Sequence, residues 1–389
     1  MHIGRYVFAQ ITQFLSQRQF NRIVVKYNDR TKGWTMSYWN HLLVLMFGQL
    51  MGCESLRELT DITIAHANKS KHLGFGHQPI NRQMLSKANA LRDHRIFEEF
   101  AFYMVSIAQS KRITKEFELH GKFYAIDSTT IDLCMSVFRW AEFRSTKSGV
   151  RIHTQIDIAT EIPVFYRITN AKVHDVNSMD WLTYESFACY VFDRGYFDLA
   201  RLYRINVFGS FFIIREKGKP AYEIIDGESI LDGVDNVLKD QTIRFTRKEN
   251  QEKYPGTIRR IVFYAPELHR SFVYYTNNFY LRAKDIALLY KYRWQVELFF
   301  KWIKQHLQVK RFWGESENAV RIQIHVAIIT YCLVAIIEHD LKIGRPVFEV
   351  MRILGKSALT RDNILELLKP LKETIKTDNR QLSLAFKFD

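Results

Sequence analysis

The hydrophobic period of this chain changes at Lys122, and that change limits the folds open to it. Upstream, apolar residues recur at helical spacing, with Trp39, Leu42, Leu43, Leu45, Met46 and Leu50 marking a strongly apolar segment. Downstream, Phe123-Tyr-Ala-Ile-Asp127-Ser-Thr-Thr-Ile-Asp132 is a β-branched run punctuated by acids, and Ile152, Thr154, Ile156 and Ile158 alternate at period two. A third strand is predicted over Pro163 to Thr169, after a short turn. A helical piece around Met179 to Phe187 leads to a strand from Cys189 to Asp193 that Gly195 breaks. A helix near Asp198 to Asn206 and a strand from Ser210 to Arg215 follow. Three strands, helix, strand, helix, strand is the order of a mixed α/β sheet with both faces covered.

The remaining segments divide around that sheet. Residues 1–115 read as entirely helical, and 116–215 hold the strands just described. Residues 216–276 turn to short strand-like pieces, such as Thr242 to Arg247 and Arg259 to Tyr264, and read as a β-rich insertion. Residues 277–340 return to helix, first from about Arg282 to Leu307 and then from Val320 to Glu338; 341–389 read as a tail of short helices. Within the first segment, Ser55 and Asn81 each open a short helix. The pair fits a helix-turn-helix or a plain bundle cap. In the first case Arg82, Gln83, Lys87 and Asn89 are the exposed side chains that reach phosphates or base edges. His66, His72 and His77 have no carboxylate or cysteine at ligand spacing and read as solvated.

Charge narrows the partner. The 389 residues carry 56 Lys and Arg against 41 Asp and Glu, a net charge of +15, which favours a polyanion. The excess is locally dense: Tyr290 to Phe312 holds six basic residues against one Glu. Cys53, Cys134, Cys189 and Cys332 are scattered without CxxC spacing, so neither a disulfide framework nor a cysteine zinc site is expected. The longest apolar run, Val326 to Ile337, falls short of the roughly 20 residues of a membrane span, and Met-His-Ile-Gly-Arg lacks the layout of a secretory signal. A cytoplasmic protein with access to the chromosome is expected.

The basic cluster begins in a run with unusual placement of charge. Tyr292, Val296, Phe299, Ile303 and Leu307 recur at helical spacing and would face a core. On one helix turning about 100° per residue, Tyr290, Glu297 and Lys304 fall within roughly 20° of a line, with Arg293 about 40° from Glu297. Taken alone, that face is equally a solvated side on which Glu297 and Lys301 form an i,i+4 pair.

The spacing of Tyr290, Arg293, Glu297 and Lys304 resembles the YREK signature of DDE insertion-sequence transposases, in the branch called the insertion sequence four family. The resemblance extends over about residues 120 to 310. It implies an RNase H-like catalytic core with a β-rich insertion, preceded by an all-helical DNA-binding region and followed by C-terminal helices. It also implies two upstream aspartates at strand ends, for which Asp127 and Asp193 are the candidates; Asp132 and Asp157 compete less well, since Asp132 would point to the opposite face of a continuing strand. An aspartate in so apolar a strand needs a solvent-exposed end or a metal.

In such a family Asp127, Asp193 and Glu297 would be the catalytic residues and the ligands of two Mg²⁺ ions, with Mn²⁺ as a substitute. Tyr290, Arg293 and Lys304 would hold DNA near Glu297, Arg194 is a further phosphate contact, and Lys301, Lys310 and Arg311 make sequence-independent backbone contacts. Relatives that form hairpins use a tryptophan from the insertion. None of the tryptophans here lies in residues 216–276, leaving Phe245 or Tyr264 as stacking candidates. The implied function is cut-and-paste transposition, acting on terminal inverted repeats and target DNA as a homodimer, nucleoid-associated when bound. The rivals are a lapsed, DNA-binding regulator and a nuclease without strand transfer.

Overall fold

The computed structural model describes residues 4–27, 35–111, 119, 121–134, 136–144, 147–227, 234–306 and 312–369. Among the described residues seven α-helices come first: α1 (Val7–Ile11), α2 (Gln17–Tyr27), α3 (Tyr38–Met51), α4 (Leu56–Ala65), α5 (Ser70–Leu73), α6 (Arg82–Leu91) and α7 (His94–Lys111). Their ends follow local chemistry. Ser37, Ser55 and Asn81 cap α3, α4 and α6 by accepting from the backbone N–H three residues on, and Gly52 closes α3 in the left-handed region. α4 and α6 touch, but α5 and a 3₁₀ turn lie between them. That connection is far longer than the three or four residues of a helix-turn-helix.

The sheet follows with β1 (Phe123–Leu133), β2 (Glu142–Arg144), β3 (Lys147–Asp157), β4 (Ile162–Asn170), β5 (Cys189–Phe192), α8 (Leu199–Val207) and β6 (Phe211–Arg215). β1 pairs antiparallel with β3 and β3 with β4, while β5 lies parallel to β1 and β6 parallel to β5. The stretch expected as a helix from Met179 to Phe187 is not one. A 3₁₀ turn over Asp175–Asp180 buries Met179, and Phe187 adopts a positive φ of 66°, which a helix cannot contain.

β7 (Tyr222–Asp226), β8 (Val237–Phe245), α9 (Lys248–Lys253), β9 (Ile258–Ala265) and β10 (Arg270–Thr276) fill the segment read as an insertion. These strands extend the same sheet, because β10 pairs antiparallel with β6 and β9, β8 and β7 follow in order. Phe245 lies wholly in the core, so it is no surface for a stacked base; Tyr264 is half-buried.

The helical return comprises α10 (Ala283–Tyr292), α11 (Trp294–His306), α12 (Glu317–Asp340), α13 (Val347–Lys356) and α14 (Ile364–Leu368). The run expected as one helix from Arg282 to Leu307 is two, meeting at Arg293, where Arg293 N–H bonds to the Tyr290 carbonyl and Val296 N–H to that of Arg293. Three-residue bonding tightens the turn there.

α12 organises the packing. It is 24 residues long and apolar enough to cross a membrane by length and composition, contrary to the reading of its longest apolar run, yet 94% of its most apolar window is inside the protein. Gln323 and His325 interrupt the run in sequence but are buried with it. α7, α3, α6 and α13 pack on it, and one continuous hydrophobic core joins these helices to the sheet face carrying Phe123, Ala125 and Val191. Tyr124, Ile126, Tyr190 and Phe192 point the other way, into a second core with α8.

Two tests follow from this packing. A Cβ on Gly355 of α13 would overlap the backbone carbonyl oxygen of Leu50 on α3, so Gly355→Ala is expected to cost about 1–3 kcal/mol through overpacking. An unchanged urea midpoint would refute that close approach. His41, fully buried, bonds through Nε2 to Asn89 Oδ1 at 2.8 Å. Burial, then the neighbouring Arg92 charge, holds its pKa down at about 3. The unfolded chain takes up this proton near pH 6.5 and the folded chain does not, so stability present above pH 6.5 is lost as the pH falls. The midpoint should fall more steeply between pH 6.5 and 5 in the wild type than in His41→Gln; equal slopes would contradict it.

Candidate active site

The first aspartate pair is positioned by a ladder that ends. In the parallel β1–β5 pairing, Phe123 faces Cys189 and Ile126 faces Phe192, and the next residues along the two strands are Asp127 and Asp193. Just past its strand, Asp193 caps a 3₁₀ turn, accepting from Gly195 N–H at 3.3 Å. β1 continues to Leu133 against β3, so Asp127 stays in the sheet with Thr154 opposite. By the alternation of β1, Asp127 faces the side on which α11 packs.

Charge then converges from the α10–α11 junction. Arg293 donates from Nη1 to Asp127 Oδ2 at 3.0 Å and from Nη2 to Glu297 Oε1 at 2.6 Å. Its side chain is 12% exposed, against 20% for Asp127 and 32% for Glu297. Tyr290 donates to Asp193 Oδ1 across 3.4 Å, packs on Tyr274 and lies under the Arg293 guanidinium. Thus Glu297 pairs with Arg293 and not, as the surface reading had it, with Lys301.

Burial pushes the Asp127 carboxyl up to about 6, and the negative charges of Glu297 and Asp193 add to it; Arg293 and the Ser128 N–H pull the other way. Burial works against the charge of Arg293, but Tyr290, Asp127 and Glu297 together hold it above its ordinary range.

A cleft of about 460 Å³ opens beside this centre, lined by Asp127, Ser128, Thr129, Glu297, Phe300, Lys301 and Lys304. Lys301 is exposed and Lys304 half-buried. Arg194 is exposed in the turn after Asp193. Lys310 and Arg311 lie outside the described residues. Arg82 and Lys87 are exposed on α6, as is Gln83, but Asn89 is buried against His41 and cannot reach DNA. Asp132 is exposed near the end of β1, and Asp157 caps its own turn, accepting from the N–H groups of Ala159 and Thr160.

Sequence reasoning missed Asp175, which bonds to the Ser128 hydroxyl and pairs with Arg151 at 3.0 Å. It also missed Tyr196, a fully buried phenol whose OH has no hydrogen-bond partner among the described residues. Neither carries a period or spacing that separates it from ordinary turn and core residues.

Residues 119–333 match the family model described as the transposase DDE domain, and residues 4–76 match one described as a domain of unknown function (DUF4372). The first match covers more than half the chain, which therefore belongs to the DDE transposase family; it is an insertion-sequence DNA transposase, an enzyme. A protein of Sinorhizobium fredii named as a transposase, y4zB, is 31% identical over 290 residues, covering 74% of this chain and 80% of its own. One from Synechocystis, named for the insertion sequence element IS4SA, is 26% identical over 73% of this chain and 80% of its own. The piggyBac transposase synaptic complex with hairpin DNA aligns over 96% of this chain and 86% of that chain, at 10% identity and a TM-score of 0.44, too remote a likeness to argue from.

Replacing Arg293 tests how the charges are held. Arg293→Gln leaves Asp127 and Glu297 facing each other without the guanidinium and should lower stability by about 1–3 kcal/mol, less than a fully buried pair because the partners are partly exposed. Melting temperatures of the variant and the wild type read the loss. A variant that melts like the wild type would show that Arg293 does not hold the carboxylates.

Proposed function

We propose that Asp127, Asp193 and Glu297 are the catalytic carboxylates and that they hold two Mg²⁺ ions for cut-and-paste transposition. The carrying observation is the arrangement at the end of a parallel ladder of three carboxylates far apart in sequence: Arg293 bridges Asp127 and Glu297, and Tyr290, beneath that guanidinium, bonds Asp193. Strand order β4-β3-β1-β5-β6, three antiparallel followed by two parallel, supports an RNase H-like core. The division into a helical DNA-binding region (1–115), core (116–215 and 277–340), β-rich extension (216–276) and tail (341–389) is then one of roles, since packing is continuous between them.

The donor set fits hard divalent ions: carboxylate oxygens at a cleft, one of them pushed toward protonation by burial and like charge. Such ions, when bound, supply an activated oxygen nucleophile and neutralise charge on the attacked phosphate. The rest falls to the chain. Asp127, on whose carboxyl both Glu297 and Asp193 act, would help to hold both ions, and Asp193 and Glu297 would each help to hold one. Arg293 is countercharge to Asp127 and Glu297 before loading. Lys304 and Lys301 line the cleft where the backbone would lie, and Tyr290 fixes Asp193 from behind.

The substrate is the element's own terminal inverted repeats. Hydrolysis frees a 3′ hydroxyl, which then attacks a target phosphodiester; the new P–O bond forms as the target strand's bridging P–O bond breaks, and the proton lost by the attacking hydroxyl is balanced by one taken up at the departing 3′ oxygen. Two ends must be held together, so the working form is a homodimer on DNA.

With end-bearing duplex, target DNA and Mg²⁺, Glu297→Gln is expected to cut and join at least about 100-fold more slowly while still binding the ends. Wild-type rates in that variant would remove Glu297 from the site. End binding without cleavage by the wild type in Mg²⁺ and Mn²⁺ would favour a lapsed regulator.

A further inference from the structure

His94 and Glu98 stand one turn apart on the same face of α7, and His325 faces them from the middle of α12. One ligand atom from each lies within 4.8 Å of the other two, in a place remote in sequence from every residue of the site above. The imidazoles of His94 and His325 stack, with centroids 5.7 Å apart and planes inclined by 15°. His325 is wholly buried; His94 and Glu98 are half-buried, so the cluster has a closed base and a rim that solvent reaches.

The hydrogen bonds leave the ligating lone pairs unused. His325 Nδ1 meets the Tyr166 hydroxyl at 2.8 Å, which orients the ring and leaves Nε2 pointing away. That Nε2 and His94 Nδ1 are both buried with no partner among the described residues. Two orphan nitrogens converging on one place are costly to bury, and burial keeps both imidazoles neutral, the form that binds metal. A ring nitrogen anchored by a phenol behind it matches the way metal-binding histidines are held.

We propose that His94 Nδ1, His325 Nε2 and a Glu98 carboxylate oxygen form a site for one borderline transition-metal ion of the Zn²⁺ class, with solvent in the fourth position. Two nitrogens and one carboxylate suit Zn²⁺ and not Mg²⁺. Ligand atoms around tetrahedral Zn²⁺ lie about 3.4 Å apart, so the cluster closes on binding, through Glu98, whose end is at the rim. The neighbouring Arg321 and Arg167 oppose added positive charge, but Arg321 is paired with Glu317 at 2.7 Å and Arg167 stacks on Trp181. The ion would pin α7 to α12, the contact between the amino-terminal helices and the buried pillar of the core.

The test uses the full-length protein, stripped with chelator and titrated with Zn²⁺ and with Co²⁺. Metal analysis should find about one Zn²⁺ per chain, and Co²⁺ should give the d–d absorption of nitrogen ligation at low coordination number. Glu98→Gln, a change at the rim, should weaken Co²⁺ binding by about tenfold or more and shift that band. His94→Gln/Glu98→Gln should abolish it with an unchanged far-ultraviolet circular dichroism spectrum. Asp127→Asn should keep the metal, which separates this site from the carboxylate centre whatever the fate of the transposition reading. Retention of full Co²⁺ binding by the double variant, its loss in Asp127→Asn, or no stoichiometric uptake by the wild type would each overturn the proposal.

Discussion

The placement of the carboxylates depends on a short parallel ladder. Four residue pairs join β1 to β5, and the ladder stops where each strand reaches an aspartate. Because parallel strands require a crossover, the partner of Asp127 comes from 66 residues downstream, after the antiparallel strands β2, β3 and β4 and a 3₁₀ turn. A one-residue slip in β1 would turn Asp127 into the second core and bring Ile126 to the cleft. The apolar residues on both faces, Ala125 and Ile131 toward one core and Tyr124 and Ile126 toward the other, are what forbid it.

The second constraint is electrostatic. Carboxylates gathered in a poorly solvated place repel one another and favour protonation. Arg293 relieves this from the junction of α10 and α11, held by Asp127 on one side and Glu297 on the other. The break in the helix and the charge pairing belong together: the tightened turn sits at the residue whose side chain spans the two acids.

Much of this was legible in the sequence because it is periodic. Alternation exposed the strands β1, β3 and β4, and their acids stood out against apolar neighbours. Fixed spacing exposed Tyr290, Arg293, Glu297 and Lys304. What was not legible depends on contacts between distant segments. The break at Arg293 leaves no mark, since no Pro or Gly is there. The sheet pairing of β10 with β6 is a long-range hydrogen-bond choice that short strand-like pieces do not encode. The stretch from Met179 to Phe187 has helix-like apolar spacing, but tertiary burial of Met179 and Leu182 and the positive φ of Phe187 override it. Asn89 looked exposed on a helical wheel because its buried partner, His41, lies 48 residues away. Likewise, nothing in His94 and Glu98 points to His325.

The burial of α12 bears on how the protein is made. The segment most like a lipid-spanning helix is hidden beneath α3, α6 and α7, all of which leave the ribosome before it does. The receiving surface is therefore synthesised first, and the greasy segment emerges with a protein partner already at hand. The stretch matched by the transposase model includes most of α12 but omits those covering helices. Cut loose on its own, it would present that surface to water, to other chains or to a bilayer.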